Sequence, residues 1–282
     1  MSAENTIVFQ GEQGANSDMA CRAVYPDMVT LGCYSFEDAF AAVHGGQARL
    51  AMIPIDNSVA GRVADIHHLL PGSNLHIIGE HFQRVDHYLL GLPGTGIGEL
   101  THVHSHVHAL NQCRSLIKDL RVEPRVHADT AGAAHMIKDL GDPTQGAIAS
   151  KLAGEIYGLD ILRANIEDAQ HNTTRFLIMA AEPQVSPRGQ GKSVTSFVFR
   201  VKNIPAALYK ALGGFATNGI NMTKLESYLV GGSFHAAQFY AEVEGHIEDK
   251  ALKQALDELS HFTHEIKVMG SYPASPARDV IG

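Results

Sequence analysis

Apolar residues in the first 180 positions occur in short runs that alternate with helical patterns. The runs predict strands at residues 6–9, 50–55, 75–78, 87–92, 102–103, 125–127, 147–149 and 176–179. Apolar positions on one helical face predict helices at residues 35–44, 106–120, 130–140 and 151–157. This alternation indicates an α/β fold, in which helices cover a parallel or mixed sheet. The region is large for one sheet, so two lobes are expected.

A second pattern follows residues 182–192, which are rich in proline, glycine and polar residues and are typical of a linker. Strands are predicted at residues 193–201, 221–230, 234–243 and 263–269, helices at 205–217 and 248–259, and a turn at Gly231 and Gly232. This βαββαβ order is ferredoxin-like. We therefore predict domains at residues 1–181 and 193–270, a linker at 182–192 and a disordered tail at 271–282.

Composition narrows the class of protein. The net charge is -8 and the pI is about 6.1, which argues against a nucleic-acid-binding protein. No apolar run approaches the roughly 20 residues that span a bilayer, and no signal peptide is expected at the N-terminus. The three cysteines lack a CxxC spacing, which predicts free thiols in a reducing compartment. A cytoplasmic protein without nucleic-acid or membrane partners is expected.

Several predicted strands end in small polar residues immediately before a helix or a turn. These are Gln10 and Gly11, Asn57 and Ser58, Ser105, Thr130, and Ser150. In an open α/β sheet, ligands bind beyond the carboxyl ends of the strands, where helix N-termini offer free N–H groups to anions. N-capping of the next helix explains each residue taken singly. Five such strand ends also fit a shared polar cleft, so both interpretations stand.

The stretch HNTTRFLIM, residues 171–179, joins a polar cluster to an apolar strand. Arg175 has the planar guanidinium that binds carboxylates in a bidentate manner. Thr173 and Thr174 would face opposite sides of a strand, so one of them can face a cleft. The alternative is a structural ion pair for Arg175 and threonines that only favour a strand.

Four histidines, His102, His104, His106 and His108, raise the question of a metal site. The first two lie on a predicted strand and the last two begin a predicted helix, where a spacing of two separates the side chains. No cysteine or carboxylate nearby completes a tetrahedral set. We therefore expect no metal at this cluster.

Six segments, in order, resemble the prephenate dehydratases. They are VFQGEQGANSDMA (8–20), AMIPIDNSVAGRVADIHHLL (51–70), HSHVHAL (104–110), DTAGAA (129–134), AIAS (147–150) and NTTRF (172–176). The last carries the family's Thr-Arg-Phe signature at Thr174, Arg175 and Phe176. Asp56 replaces the family's usual Glu, and Val107 and His108 replace Pro and Gln.

The resemblance implies a two-lobed α/β catalytic domain similar to type II periplasmic binding proteins. It implies conversion of prephenate to phenylpyruvate without a cofactor, with Thr174 as the catalytic hydroxyl. Arg175 is expected to hold a carboxylate or to position Thr174. The other residues expected at the substrate are Gln10, Gly11, Asn57, Ser58, Ser105, Thr130, Asn172, Thr173 and Phe176.

The segment NIPAALYKALGGFATNGINMTKLES, residues 203–227, resembles the phenylalanine-sensing region of an ACT domain. The family's Gly-Ala-Leu segment is Ala206-Ala207-Leu208 here, and its Glu-Ser-Arg-Pro segment is Glu226-Ser227-Tyr228-Leu229. Feedback inhibition by L-phenylalanine is implied. The expected effector residues are Ala207, Leu208, Asn218, Asn221, Glu226 and Ser227.

Two alternatives remain open at this level. Arogenate dehydratase performs the same chemistry on the amino analogue, and the motifs do not separate the two substrates. A non-catalytic amino-acid sensor is the alternative of another class, since fold alone does not specify function. No chorismate mutase helices precede Thr6, so a monofunctional enzyme is expected, and ACT sites at interfaces imply a homodimer or homotetramer.

Overall fold

The computed structural model describes residues 2–169, 171–229 and 237–281. The strands are β1 Thr6–Gln10, β2 Val29–Cys33, β3 Leu50–Asn57, β4 Gly61–Arg62, β5 His76–Arg84, β6 Tyr88–Gly91, β7 His102–Ser105, β8 Glu123–Val126, β9 Gln145–Ala149, β10 Asp160–Arg163, β11 Thr173–Ala180, β12 Ser193–Val201, β13 Met222–Leu229, β14 Ala237–Glu244 and β15 Thr263–Pro273. The helices are α1 Asn16–Val24, α2 Phe36–His44, α3 Ala64–Leu69, α4 Val107–Gln112, α5 Arg114–Leu120, α6 Thr130–Leu140, α7 Lys151–Tyr157, α8 Ala207–Thr217, α9 Lys250–Ser260 and α10 Arg278–Ile281.

The chain divides into two compact units. Residues up to Val63 and His81–Phe176 form the first unit, whereas Ala64–Glu80 and the residues from Leu177 onward form the second. The domain boundary predicted at residue 181 stays a prediction, and the compact units have different limits. Ala64–Glu80 was expected in the catalytic domain and here shares its unit with the C-terminal residues.

Strands of the first unit belong to two mixed sheets. One has the order β2-β1-β3-β11-β5, with β4 paired to β3, and the other has the order β10-β6-β9-β7-β8. β1 runs parallel to β2 and β3, and β7 runs parallel to β8 and β9. Two mixed sheets with helices confirm the predicted α/β class. The likeness to type II periplasmic binding proteins stays a prediction.

Local sequence signals explain where several helices of the first unit begin and end. Ser35 accepts a hydrogen bond from the Asp38 amide, and Asp38 accepts one from the Ser35 amide, which forms a capping box at α2. Asp129 caps α6, and Gly141 ends that helix in the left-handed region. Such caps satisfy backbone groups that have no partner within the helix.

The second unit contains an antiparallel sheet in the order β13-β14-β12-β15. Helix α8 follows β12 and α9 follows β14, so the elements have the predicted βαββαβ order. One face of the sheet packs against both helices. That core contains Phe197, Phe199, Ala211, Phe215, Phe239, Ala241, Val243, Leu252, Ala255 and Leu259.

Residues 64–80 contact the βαββαβ sheet within the second unit. The ring of His67 lies 5.4 Å from that of Tyr240 in an edge-on arrangement, and Lys267 Nζ donates to the Pro71 carbonyl at 2.8 Å. A side chain at Gly270 would meet the Ile77 carbonyl oxygen, so only glycine allows the two backbones to approach there. The sequence patterns did not predict these contacts.

Two predicted helices need correction, and several elements were not predicted. The helix predicted at residues 106–120 is two helices, because Cys113 leaves the helical conformation and buries its side chain in the core. The helix predicted from residue 205 begins at Ala207, because Ala206 has a left-handed φ of 59°. Strands β2, β4 and β10 and helices α1 and α3 were not predicted. The turn predicted at Gly231 and Gly232 lies outside the described residues.

The predicted disorder of residues 271–282 is also wrong where the structure describes them. β15 extends to Pro273, and α10 follows. Arg278 binds Glu80 at 2.6 and 2.8 Å and Glu242 at 2.9 Å, within the second unit. These ion pairs hold the segment against the sheet, which proline content alone did not reveal.

Across the three described ranges, every helix is too short or too polar to cross a membrane.

Candidate active site

The end of β3 meets the start of β11. The Ser58 amide donates to the Thr173 carbonyl at 2.9 Å, and the Thr173 amide donates to Ser58 Oγ at the same distance. Since β3 and β11 are neighbours in the sheet, these bonds also bring Asn57 beside Thr174. The structure therefore places the turn at Asn57 and Ser58 beside the start of β11.

The amide of Asn57 holds the hydroxyl of Thr174. Asn57 Nδ2 donates to Thr174 Oγ1 at 3.0 Å and to Asn172 Oδ1 at 2.8 Å. Asn57 Oδ1 accepts from the backbone amides of Val59 at 3.0 Å and Ala60 at 2.7 Å. Such a side-chain turn, in which Asn57 accepts from backbone amides that follow it, fixes the plane of the Asn57 amide. The donor to Thr174 is therefore held rigidly.

The hydrogen bonds continue away from Thr174 into the protein. Asn172 Nδ2 donates to Gln112 Oε1 at 2.8 Å, and His87 Nε2 lies 2.8 Å from the same oxygen. Asn172 is 2% exposed and His87 is 3% exposed. Burial lowers the pKa of His87, although the bond to Gln112 and the charges of Glu167 and Asp86 oppose that shift. His87 is therefore favoured in its neutral form.

Gln112 and His87 were both missed by the sequence analysis. Gln112 ends α4 and His87 immediately precedes β6, so neither follows the pattern of a polar residue at the carboxyl end of a strand. The available signal was a histidine at the start of a strongly apolar run.

Arg175 points away from the hydroxyl of Thr174, as neighbouring residues on a strand do. Its side chain is 8% exposed, its Nη1 lies 3.7 Å from Asp56 Oδ2, and its guanidinium lies 5.8 Å from the ring centre of Phe82. A planar guanidinium over an aromatic ring is a favourable cation–π arrangement. This geometry matches the structural ion pair that the sequence analysis held as the alternative for Arg175.

The remaining candidates have diverse surroundings. Ser105 is fully buried and its hydroxyl donates to the Ile148 carbonyl, while Phe176 lies in the core. Gln10 and Thr130 are half-buried, and Gly11 has a φ of 113° that favours glycine. In the described ranges, no hydrogen bond joins these residues directly to Thr174.

The glycine turn after β1 contacts the start of α7. Ser150 Oγ donates to the Gly14 carbonyl and accepts from the Ala153 amide at 3.0 Å. A Cβ on Gly14 would lie 2.7 Å from Ala153 Cα, and Gly14 has a φ of 86°, so glycine is required here. Ser150 is thus an N-cap that also joins the glycine turn to α7.

The histidine cluster contains four side chains with separate contacts. His102 Nε2 lies 3.2 Å from Glu123, His104 Nε2 lies 2.8 Å from Gln145 Oε1, and His106 caps α4 beside His108. No group of three or more metal-binding side chains was found among the residues that the structure describes.

All three cysteines are free, and burial raises the pKa of Cys21 and Cys113.

The candidate effector residues lie on α8, on β13 and in the loop between them. Ala207 and Leu208 begin α8, while Asn218 follows its last residue and donates to Glu258 at 3.0 Å. Asn221 donates to Glu244 at 3.0 Å, and Glu226 lies 3.6 Å from Lys224. Ser227 follows Glu226 on β13.

Two residues in this region differ physically from the pattern of the resembled family. Ala206 stands where the resembled family has glycine, and it adopts a left-handed backbone conformation. For a residue with a Cβ, this conformation costs about 1–2 kcal/mol. Tyr228 takes the place of arginine and packs edge-on against His68 at 5.6 Å. Its hydroxyl is buried without a hydrogen-bond partner among the described residues, and burial raises its pKa.

Comparison with known proteins identifies the family of this chain. The family model for prephenate dehydratase matches residues 7–184. A bifunctional N-acyl-homoserine lactone acylase/prephenate dehydratase of Komagataeibacter europaeus is 52% identical over 99% of each chain. The arogenate dehydratase/prephenate dehydratase 1 of Arabidopsis thaliana is 38% identical over 96% of this chain and 73% of the relative.

A solved structure leads to the same conclusion. Prephenate dehydratase from Arthrobacter aurescens, in complex with L-phenylalanine, superposes with a TM-score of 0.87 at 29% identity, covering 95% of this chain and 90% of that one. The family model, the relatives and the shared fold therefore show that this chain belongs to the prephenate dehydratase family and is a lyase of aromatic amino acid biosynthesis.

Proposed function

We propose that the protein converts prephenate to phenylpyruvate on the route to L-phenylalanine. The bond between the ring and its carboxylate breaks and releases carbon dioxide, and the electron pair enters the ring as it becomes aromatic. The ring C–O bond breaks at the same time, and the leaving hydroxide takes a proton to become water. Aromatisation drives the step, so the chemistry needs no cofactor, and the enzyme orients the substrate and assists the leaving group.

The hydrogen bond from Asn57 to Thr174 is the observation that carries this proposal. Because Asn57 donates to Thr174 Oγ1, the proton of Thr174 remains available for another acceptor. We assign that acceptor to the departing hydroxyl oxygen of the substrate. A donor aimed at developing negative charge favours the transition state over the ground state.

Other predicted residues receive roles that fit their contacts. We assign Asn57, Ser58, Asn172, Thr173, Thr130, Gln10 and Gly11 to the walls of the substrate site. Ser105 and Phe176 support the site from the core, since one donates to the Ile148 carbonyl and the other is buried. Arg175, paired with Asp56, is assigned to holding a substrate carboxylate or to positioning Thr174, its neighbour on β11.

Product analysis tests this assignment. Purified protein should form phenylpyruvate from prephenate, and arogenate should be turned over more slowly under the same conditions. If phenylalanine forms from arogenate faster than phenylpyruvate forms from prephenate, the protein is instead an arogenate dehydratase. Several relatives carry that name. Inactivity with both substrates would overturn the proposed dehydratase reaction. Because the chain is a lyase of this family, the non-catalytic sensor is set aside.

We further propose that the βαββαβ unit is an ACT domain that binds L-phenylalanine. The element order and the segment at residues 203–227 support this assignment, as does the effector bound to the Arthrobacter aurescens protein. Ala207, Leu208, Asn218, Asn221, Glu226 and Ser227 are the proposed effector residues. ACT domains pair at their effector sites, so a homodimer or homotetramer in the cytoplasm is proposed, and light scattering would give the mass.

Added L-phenylalanine is expected to lower the dehydratase rate. An effector acts only through its different affinity for two states, and such coupling typically changes affinity about 5- to 150-fold. Titration calorimetry and initial rates measure both halves of this prediction, with L-alanine as the control amino acid. A protein that gives neither heat nor inhibition with L-phenylalanine would contradict it. Binding of L-phenylalanine without inhibition would support the effector site but contradict its effect on the dehydratase rate.

A second activity is proposed because of the 52% identical relative, whose name includes N-acyl-homoserine lactone acylase. The reaction would add water across the amide bond, giving a fatty acid and homoserine lactone. Incubation with an N-acyl-homoserine lactone, followed by mass spectrometry of both products, tests it. Absence of both products at a protein concentration that turns over prephenate would reject this second activity.

A further inference from the structure

The direction of each hydrogen bond behind Thr174 follows from two backbone amides. The N–H groups of Val59 and Ala60 can only donate, so the Asn57 atom that they contact must be its oxygen. Asn57 Nδ2 is therefore the donor to Asn172, whose contacting atom must be Oδ1. The backbone thus settles the orientation of both amides without reference to hydrogen positions.

The same reasoning continues to His87. With Oδ1 of Asn172 occupied as an acceptor, its Nδ2 donates, and Gln112 must present Oε1. A carbonyl oxygen only accepts, so His87 Nε2, at 2.8 Å, must carry a hydrogen. His87, Asn172 and Asn57 therefore all act as donors in one chain of hydrogen bonds that ends on Thr174 Oγ1.

The His87 chain, defined as His87, Gln112, Asn172, Asn57 and Thr174, has a consequence for the reaction. If Gln112 rotated its amide, Asn172 Nδ2 would face a nitrogen donor, and the bonds to Asn57 and Thr174 would weaken in turn. His87 prevents this rotation because its Nε2–H needs an acceptor oxygen at the position that Gln112 Oε1 occupies. Its burial, at 3% exposure, keeps water from taking that role.

We propose that His87 is a positioning residue for Thr174, acting through the orientation of Gln112. This inference rests on the proposed dehydratase function, in which the Thr174 proton goes to the leaving hydroxyl. His87 does not touch the substrate in this scheme. Its Nε2–H holds the Gln112 oxygen toward Asn172 Nδ2, and this anchors Asn172 and Asn57 in the positions that keep the Thr174 proton directed into the site.

Two variants of His87 separate its donor from its bulk. His87→Leu removes the donor, whereas His87→Gln places an amide N–H where Nε2 lies. We expect kcat of His87→Leu to fall about 10- to 100-fold with KM nearly unchanged, the size of effect that a small misplacement of a reacting group produces. His87→Gln should recover most of kcat.

His104→Leu is the matched control. His104 Nε2 also lies 2.8 Å from a glutamine oxygen, that of Gln145, and His104 lies on β7 outside the His87 chain. Its loss should leave kcat close to the wild-type value. A double variant His87→Leu/Gln112→Leu should show the kcat of Gln112→Leu alone, because His87 acts through Gln112.

The outcomes distinguish this inference from the proposed function. Wild-type protein inactive on prephenate and arogenate would overturn the dehydratase proposal and this inference together. An active wild type with an equally active His87→Leu variant would overturn only the role of His87. If His87→Leu does not fold, equal kcat in His87→Gln and His87→Met decides against the inference, because methionine fills the space without donating.

Discussion

Thr174→Val is expected to lower kcat for prephenate by about 10²- to 10⁴-fold, the usual contribution of a positioned proton donor. Valine keeps the shape and branching of threonine, so β11 should retain its pairing. KM should change little, because the hydroxyl acts on the leaving group as the C–O bond breaks. Steady-state kinetics of phenylpyruvate formation measure both quantities.

Thr30→Val is a matched control for Thr174→Val. Thr30 is a buried threonine on β2 of the same sheet, and its hydroxyl accepts a 3.4 Å contact from Arg22. This control should turn over prephenate at nearly the wild-type rate. Thr174→Ser should recover much of the lost rate because it restores the hydroxyl. Full activity in a folded Thr174→Val variant would remove Thr174 from the catalytic role.

Arg278→Met is expected to cost about 3–5 kcal/mol in the free energy of unfolding of the second unit, as loss of one partner of a buried ion pair does. Arg278 binds Glu80 through two nitrogens and Glu242 through one, and its side chain is 20% exposed. Both carboxylates are almost fully buried. Removing the guanidinium would leave two like charges close together in a region of low dielectric. Urea titration followed by circular dichroism gives the unfolding free energy.

Arg188→Met tests whether burial causes this loss. Arg188 pairs with Asp249 at 2.9 Å in the same unit, but the two side chains are 60% and 38% exposed. Exposed pairs contribute about 0–1 kcal/mol, so this variant should be nearly as stable as the wild type. Equal stability losses in Arg278→Met and Arg188→Met would show that the buried arrangement is not the source of the effect.

Local patterns predicted much of the fold because strands and helices depend on nearby residues. The strand pattern of Ser193–Val201 and the helical spacing of Lys250–Ser260 each reflect an element that buries apolar side chains in one shared core, where Phe197 and Leu252 lie. The helices at Thr130–Leu140 and Lys151–Tyr157 were predicted to the residue. In contrast, Cys113 breaks a pattern that continues through it, since burial of its thiol depends on a core assembled from distant strands.

The candidate site was predictable in part. The Thr174-Arg175-Phe176 signature and Asn57 were found because each stands out within a short segment. The contacts of Arg175 with Asp56 and Phe82 were not, because they join residues from separate segments of the chain. The position of His87 before an apolar run was the one local signal, and it did not reveal the roles of His87 and Gln112, which come from the atoms that they contact.

The sequence by itself determined the α/β class and the βαββαβ order, and its resemblance to the family pointed to the hydroxyl on which the proposed reaction depends. These features follow from periodicity and from short motifs, which act over a few residues. Only the tertiary structure decided that Asn57 donates to a threonine 117 positions away, and that Arg278 reaches Glu80 across 198 positions. Such contacts form when strand order brings distant residues together, and burial then requires each polar group there to find a partner.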